Sequence, residues 1–137
     1  MIEMELSKII IHEKRQEQII VLKEKGGPRS LPIVIGLLEA TAIKMKIGGV
    51  QPPRPLTHDL LKNILDATGA HLEKVLIDKL ENNTFFAKLI VRLAQGQPTH
   101  IDARPSDSIA LAVRANAPIF VEEEVLKNAE TFTIPEQ

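Results

Sequence analysis

A chain of 137 residues, 44% hydrophobic and 26% charged, has the proportions of a folded globular domain and can remove about two thirds of its unfolded surface from water, so neither disulfides nor structural metals are needed for stability. It contains no cysteine, which excludes disulfides, thiolate catalysis and cysteine-ligated zinc. With 17 basic against 18 acidic residues the net charge of −1 exerts no long-range pull on a polyanion, and four phenylalanines without tyrosine or tryptophan argue against an extended base-stacking platform.

The opening Met-Ile-Glu-Met-Glu lacks the basic and apolar regions of a secretory signal, and no apolar run approaches the roughly 20 residues that cross a bilayer. A cytoplasmic protein without membrane contact is expected. Apolar and polar residues alternate over residues 2–10 apart from an interruption at Lys8, giving a first strand. The polar residues 12–16 close a hairpin with a second strand over residues 17–23, built on Ile19-Ile20-Val21-Leu22. Gly26-Gly27-Pro28 forces a turn. Residues 30–35 read as a third strand in which Pro32, unable to donate to a ladder, marks an edge or a strand start.

The spacing turns helical over residues 36–47, with Leu38, Ala42 and Met45 on one stripe and Ala40, Ile43 and Ile47 beside it, and Gly48-Gly49 as the stop. So little of this helix is polar that it is expected to be well buried. Three prolines make residues 50–55 an extended loop. Thr57 is expected to cap a helix through residue 68, with Leu60, Leu61, Ile64 and Leu65 as its apolar stripe. Residues 71–80 and 84–93 pair across Glu81-Asn82-Asn83, and Gln95-Gly96-Gln97-Pro98 turns the chain into a strand at residues 99–104. Ser106 or Asp107 then caps an alanine-rich helix to about residue 115, followed by a short strand at residues 118–121 and a last helix over residues 122–130. The order βββ-αα-βββ-α-β-α predicts a single α+β domain over residues 1–137, with a mixed, largely antiparallel sheet and about four helices.

Three constellations could carry chemistry. On a strand over residues 99–104, His100, Asp102 and Arg104 share one face. There Asp102 and Asp107 offer hard oxygen ligands to Mg²⁺ or Mn²⁺ while Arg104 meets a phosphate. In Arg54-Pro55-Leu56-Thr57-His58-Asp59, a helix N-terminus with Thr57 and Arg54 suits an anion, and His58 is placed as a general acid or base. Arg29, after the Gly-Gly-Pro turn, is a substrate-binding candidate, and Glu39 is a candidate buried acid in an apolar helix. Each also has a plainer reading as a cap, a dipole complement or a surface pair. No Walker loop, H-E-x-x-H, G-x-S-x-G or G-x-G-x-x-G occurs.

Taken together, Arg29-Ser30-Leu31-Pro32-Ile33 with Ile35-Gly36 and Glu39-Ala40, then Arg54 to Leu61, then Ile101-Asp102-Ala103-Arg104-Pro105-Ser106-Asp107-Ser108 through Ala112, resemble the bifunctional nuclease domain family over about residues 9–129. The resemblance implies an α+β fold, oligomerisation and nuclease activity on RNA and DNA; it does not assign roles to residues. Residue chemistry then suggests a metal-assisted phosphodiesterase. Asp102, Asp107 and Asp59 or Glu39 would hold Mg²⁺ or Mn²⁺, His58 would act as acid or base, and Arg104, Arg54, Thr57 and Arg29 would bind the nucleic acid. The alternative is a non-catalytic, homo-oligomeric module that binds a small anion or a protein. A closed Arg104–Asp107 pair favours that module, and an open cleft with two or more unpaired carboxylates favours catalysis.

Overall fold

A computed structural model of the chain describes residues 1–12, 14–129 and 132–133. Among the described residues the elements follow the predicted order. They are β1 (Ile2–Ile10), β2 (Glu17–Glu24), β3 (Arg29–Gly36), α1 (Leu37–Ile47), α2 (Thr57–Ala67), β4 (His71–Glu81), β5 (Thr84–Arg92), β6 (Pro98–Ala103), α3 (Pro105–Ala115), β7 (Ile119–Val121), α4 (Glu123–Asn128) and β8 (Phe132–Thr133). The strands form one sheet in the order β6-β5-β4-β7-β1-β2-β3-β8. Every neighbouring pair is antiparallel except β4 and β7. The fold is α+β, with a mixed, mostly antiparallel sheet.

Two meanders supply most of that sheet. β1-β2-β3 is held at its first turn by Gln18, whose fully buried amide donates to the carbonyls of His12 and Arg15 at 3.0 and 2.7 Å. β4-β5-β6 folds back at Asn82-Asn83, both with positive φ (52° and 61°), the backbone of a two-residue primed turn that asparagine tolerates better than most residues. Three-residue β7 lies between the meanders, pairing with β4 on one side and β1 on the other. Leu22, Leu31, Ile77, Val91, Ile109 and Leu126 lie in the shared core with at most 2% exposure.

Several local expectations are corrected. Thr57 is not the cap of α2: Leu56 occupies the N-cap position and the Asp59 carboxylate accepts its N–H at 2.9 Å, so the third helical residue satisfies the terminus instead. Neither Ser106 nor Asp107 caps α3, because Arg104 is the N-cap and Pro105 takes the first helical position, where its missing N–H costs nothing. α1 is not well buried: it buries Ala40, Ala42 and Ile43 and leaves Leu38 80% exposed. The apolar stripe of α2 turns outward too, with Leu60, Leu61 and Ile64 exposed and His58 its buried residue. Among the described residues Pro32 sits on an edge, since β8 pairs there with β3 only at Arg29 and Ser30. The last predicted helical residue, Glu130, lies outside the described residues.

Candidate active site

The N-terminal ends of α2 and α3 converge, as a joint site of His58 and Asp107 requires. His58 lies one residue into α2 with its side chain 10% exposed, and its Nε2 is 2.9 Å from Asp107 Oδ1. An ionised carboxylate only accepts, so Nε2 carries the proton in this bond; in the neutral imidazole Nδ1 then presents a lone pair. Nδ1 has no hydrogen-bond partner among the described residues. The second oxygen of Asp107 accepts from Arg104 Nε at 2.9 Å. Burial pushes the Asp107 carboxyl up, but the hydrogen bonds from Arg104 and His58 outweigh it and hold the group below the usual aspartate range. The Arg104 guanidinium is in turn raised, first by its bond to Asp107.

Arg104 extends the chain of contacts to α1. Its Nη1 lies 3.5 Å from Glu39 Oε1, and its side chain is 66% exposed against 15% for Glu39. Glu39 folds back over Gly36, where a Cβ would stand 2.6 Å from Glu39 Oε1. Glycine at that position therefore makes room for the carboxylate. The four side chains border a cleft of about 410 Å³, walled on its apolar side by Leu38, Met45 and Leu56 and flanked by Thr57. A volume in this range suits a small ligand.

The other candidates are placed elsewhere. Asp102 pairs in register with Lys88, while the next residue, Ala103, pairs with fully buried Ala87. Strand alternation thus sends Asp102 and His100 to the sheet face opposite the core. Asp59 closes the N-terminus of α2 and accepts from Arg114 Nε at 2.6 Å. That contact and, before it, the Leu56 N–H bond hold its carboxyl low. Arg114 went unrecognised in the sequence. It is 4% exposed and also donates to the carbonyls of Ala110 and Ala42 at 2.8 and 3.2 Å, tying α1, α2 and α3 together. Its one sequence signal is that it is the lone cation within an alanine-rich helix.

Arg29 lies at the far end of β3 from Glu39. It forms two parallel bonds of 2.9 Å with Glu123 and a 2.7 Å bond with Glu24. Arg54 is exposed and makes no side-chain hydrogen bond among the described residues. No group of three or more histidines and carboxylates is placed to hold a metal ion among the described residues. Asp59 and Asp107 already serve arginines, and Asp102 lies across the sheet. This donor set does not fit a divalent ion as it stands.

The comparisons with known proteins agree on one family. A family model described as the bifunctional nuclease domain matches residues 20–133. Two Mycobacterium tuberculosis proteins described as uncharacterized are each 44% identical over 121 residues, covering 88% of this chain and 71% of their own length. A protein of Oryza sativa subsp. japonica named bifunctional nuclease 2 is 31% identical, covering 81% of this chain and 35% of itself. The Arabidopsis thaliana protein named bifunctional nuclease 1 is 31% identical, with 74% of this chain and 32% of itself covered. The chain thus spans about a third of these plant relatives. No helix among the described residues is long and apolar enough to cross a membrane.

Proposed function

We propose, from the premise that this chain belongs to the bifunctional nuclease domain family, that it hydrolyses phosphodiester bonds of RNA or DNA in the cleft beside His58. The observation that supports this most is the His58–Asp107 bond of 2.9 Å with an open cleft alongside. Arg104 Nη2 makes no hydrogen bond among the described residues and is available to a phosphate oxygen. His58 Nδ1 takes a proton from the attacking water as its oxygen bonds to phosphorus. The P–O bond to the leaving group breaks, and that oxygen takes a proton from the imidazolium or from solvent. Asp107 fixes the tautomer and stabilises the imidazolium.

A second reading has its own support. Arg104 and Asp107 are paired, which suits a module that binds an anion without cleaving it. One assay separates the two. Wild type, His58→Ala and Asp102→Asn are incubated with labelled RNA and DNA, with Mg²⁺, with Mn²⁺ and in EDTA. Cleavage is expected to fall by about two to four orders of magnitude in His58→Ala and to persist in Asp102→Asn. Loss in Asp102→Asn restricted to the metal-containing reactions would restore a divalent ion held on the β6 side. No cleavage under any condition would favour the binding module. Self-association belongs to the same proposal: Leu38 on α1 and Leu60, Leu61 and Ile64 on α2 are exposed apolar side chains, the kind of surface that a second copy covers.

A further inference from the structure

Two clefts share one wall. Beside the 410 Å³ cleft of His58 lies a second, of about 540 Å³, between the free edge of β3, the β4-β5 turn and the start of α3; Glu39 and Arg104 line both. The wall is thus the ion pair of 3.5 Å whose arginine is two thirds exposed. The second cleft is unlike the first in chemistry. Phe85 stands in it partly buried, with the amides of Asn83 and Gln16 nearby. Its floor carries Pro32 and Val34, the latter 55% exposed. Past Ser30 no strand pairs the outer edge of β3 among the described residues, so backbone groups there stay open to hydrogen bonding.

We propose that the two clefts are consecutive nucleotide subsites on either side of a phosphate held by Arg104, so that the chain takes single-stranded nucleic acid laid across both. The identity of the ligand rests on the nuclease reading; the two-subsite arrangement rests on the shared wall. One aromatic ring suffices to stack one base, and the amides and free edge can meet its polar rim. A duplex does not fit, because its bases would have to unstack before entering separate clefts. The net charge of −1 and Glu39 at the wall mean that binding draws on apolar contact and one or two cations. The slope of log affinity against log salt is therefore shallow, about −1, as expected for neutralising so few phosphates.

The test is fluorescence anisotropy with a short fluorescein-labelled 2′-O-methyl oligonucleotide, single-stranded and annealed to its complement, across a salt series. Single-strand binding with a shallow slope and at least tenfold preference over duplex is expected. Val34→Glu places a charge on the cleft floor at an exposed position, and Phe85→Leu keeps apolar volume while removing the ring. Each is expected to weaken single-strand binding by about tenfold, the scale of one stacked base, with circular dichroism unchanged. Equal affinity for duplex, or full affinity in both variants, overturns the inference even if the protein cleaves nucleic acid. Single-strand binding that the variants weaken, without cleavage of any substrate, leaves the subsites standing and removes the nuclease reading.

Discussion

Arg29 and Arg104 each bridge two carboxylates, yet one makes a joint and the other borders a site. Arg29 spends its fork on Glu123 and its Nε on Glu24, whose side chain is 8% exposed. It thereby locks the start of β3 to α4, 94 residues away in sequence. Arg104 has one good bond to Asp107 and a 3.5 Å contact to Glu39, and twice the exposure of Arg29, 66% against 33%. Geometry separates them where residue type does not: a guanidinium with an uncommitted nitrogen beside a cleft can receive an anion, and one whose donors are used cannot.

The sharpest way to break this comparison is to remove each arginine and read activity and stability together. Arg104→Ala is expected to cut nuclease turnover by about two orders of magnitude, the scale of a lost transition-state donor, with little change in unfolding midpoint. The same activity loss in Arg29→Ala, without unfolding, would show the two regions to be alike. Next, Arg114→Met is expected to destabilise by about 3 kcal/mol in urea titrations, because it leaves Asp59 without its cation and removes a donor from two helix carbonyls at a buried junction. A wild-type midpoint would remove it from the framework.

Acid sharpens the contrast further. Glu24 and Glu123 are both held below the usual glutamate range, first by hydrogen bonds from Arg29. Their depressed folded values mean that the contribution is complete above the unfolded glutamate pKa, about 4.3, and is lost as pH falls through the lower folded values. The stability gap between wild type and Arg29→Ala is therefore expected to be constant at neutral pH and to close below about pH 4. A gap that persists in acid would mean packing, not charge, holds the joint. The smallest effect is expected from the triple variant Leu60→Ser, Leu61→Ser and Ile64→Ser. These side chains are 39–52% exposed, so light scattering should report lost self-association with each change costing about 0.5 kcal/mol or less of protomer stability. Unchanged molar mass would leave the apolar face without that role.

Local rules made much of this fold legible. The asparagine turn, the Pro32 edge, and the glycine stops at Gly48 and Gly69 follow from backbone preferences that act within a few residues. The meeting of His58 with Asp107 was legible only as a condition, because 49 residues separate them and nothing local brings two helix ends together. The outward stripes of α1 and α2 misled for a related reason. Periodicity reports that a face is apolar, not which surface covers it. Asp102 was read with Asp107 because both flank one strand-helix junction, yet a one-residue offset on a pleated strand reverses the face. The Arg114–Asp59 and Arg29–Glu123 pairs were not legible because their members stand 55 and 94 residues apart in the chain.

The placement of β7 bears on how the chain reaches this state. The two meanders close through short turns, so each is assembled from neighbours in sequence. The three-residue β7 is what splices β4 to β1, across the 60 residues between Ile10 and His71. Joining β7 to β1 closes the long chain between Met4 and Ile119 for three backbone pairs, a large loop-closure entropy for a small local gain, which favours its forming late. The two clefts lie along one meander's edge and the other's turn, and they take shape only once this small staple has set.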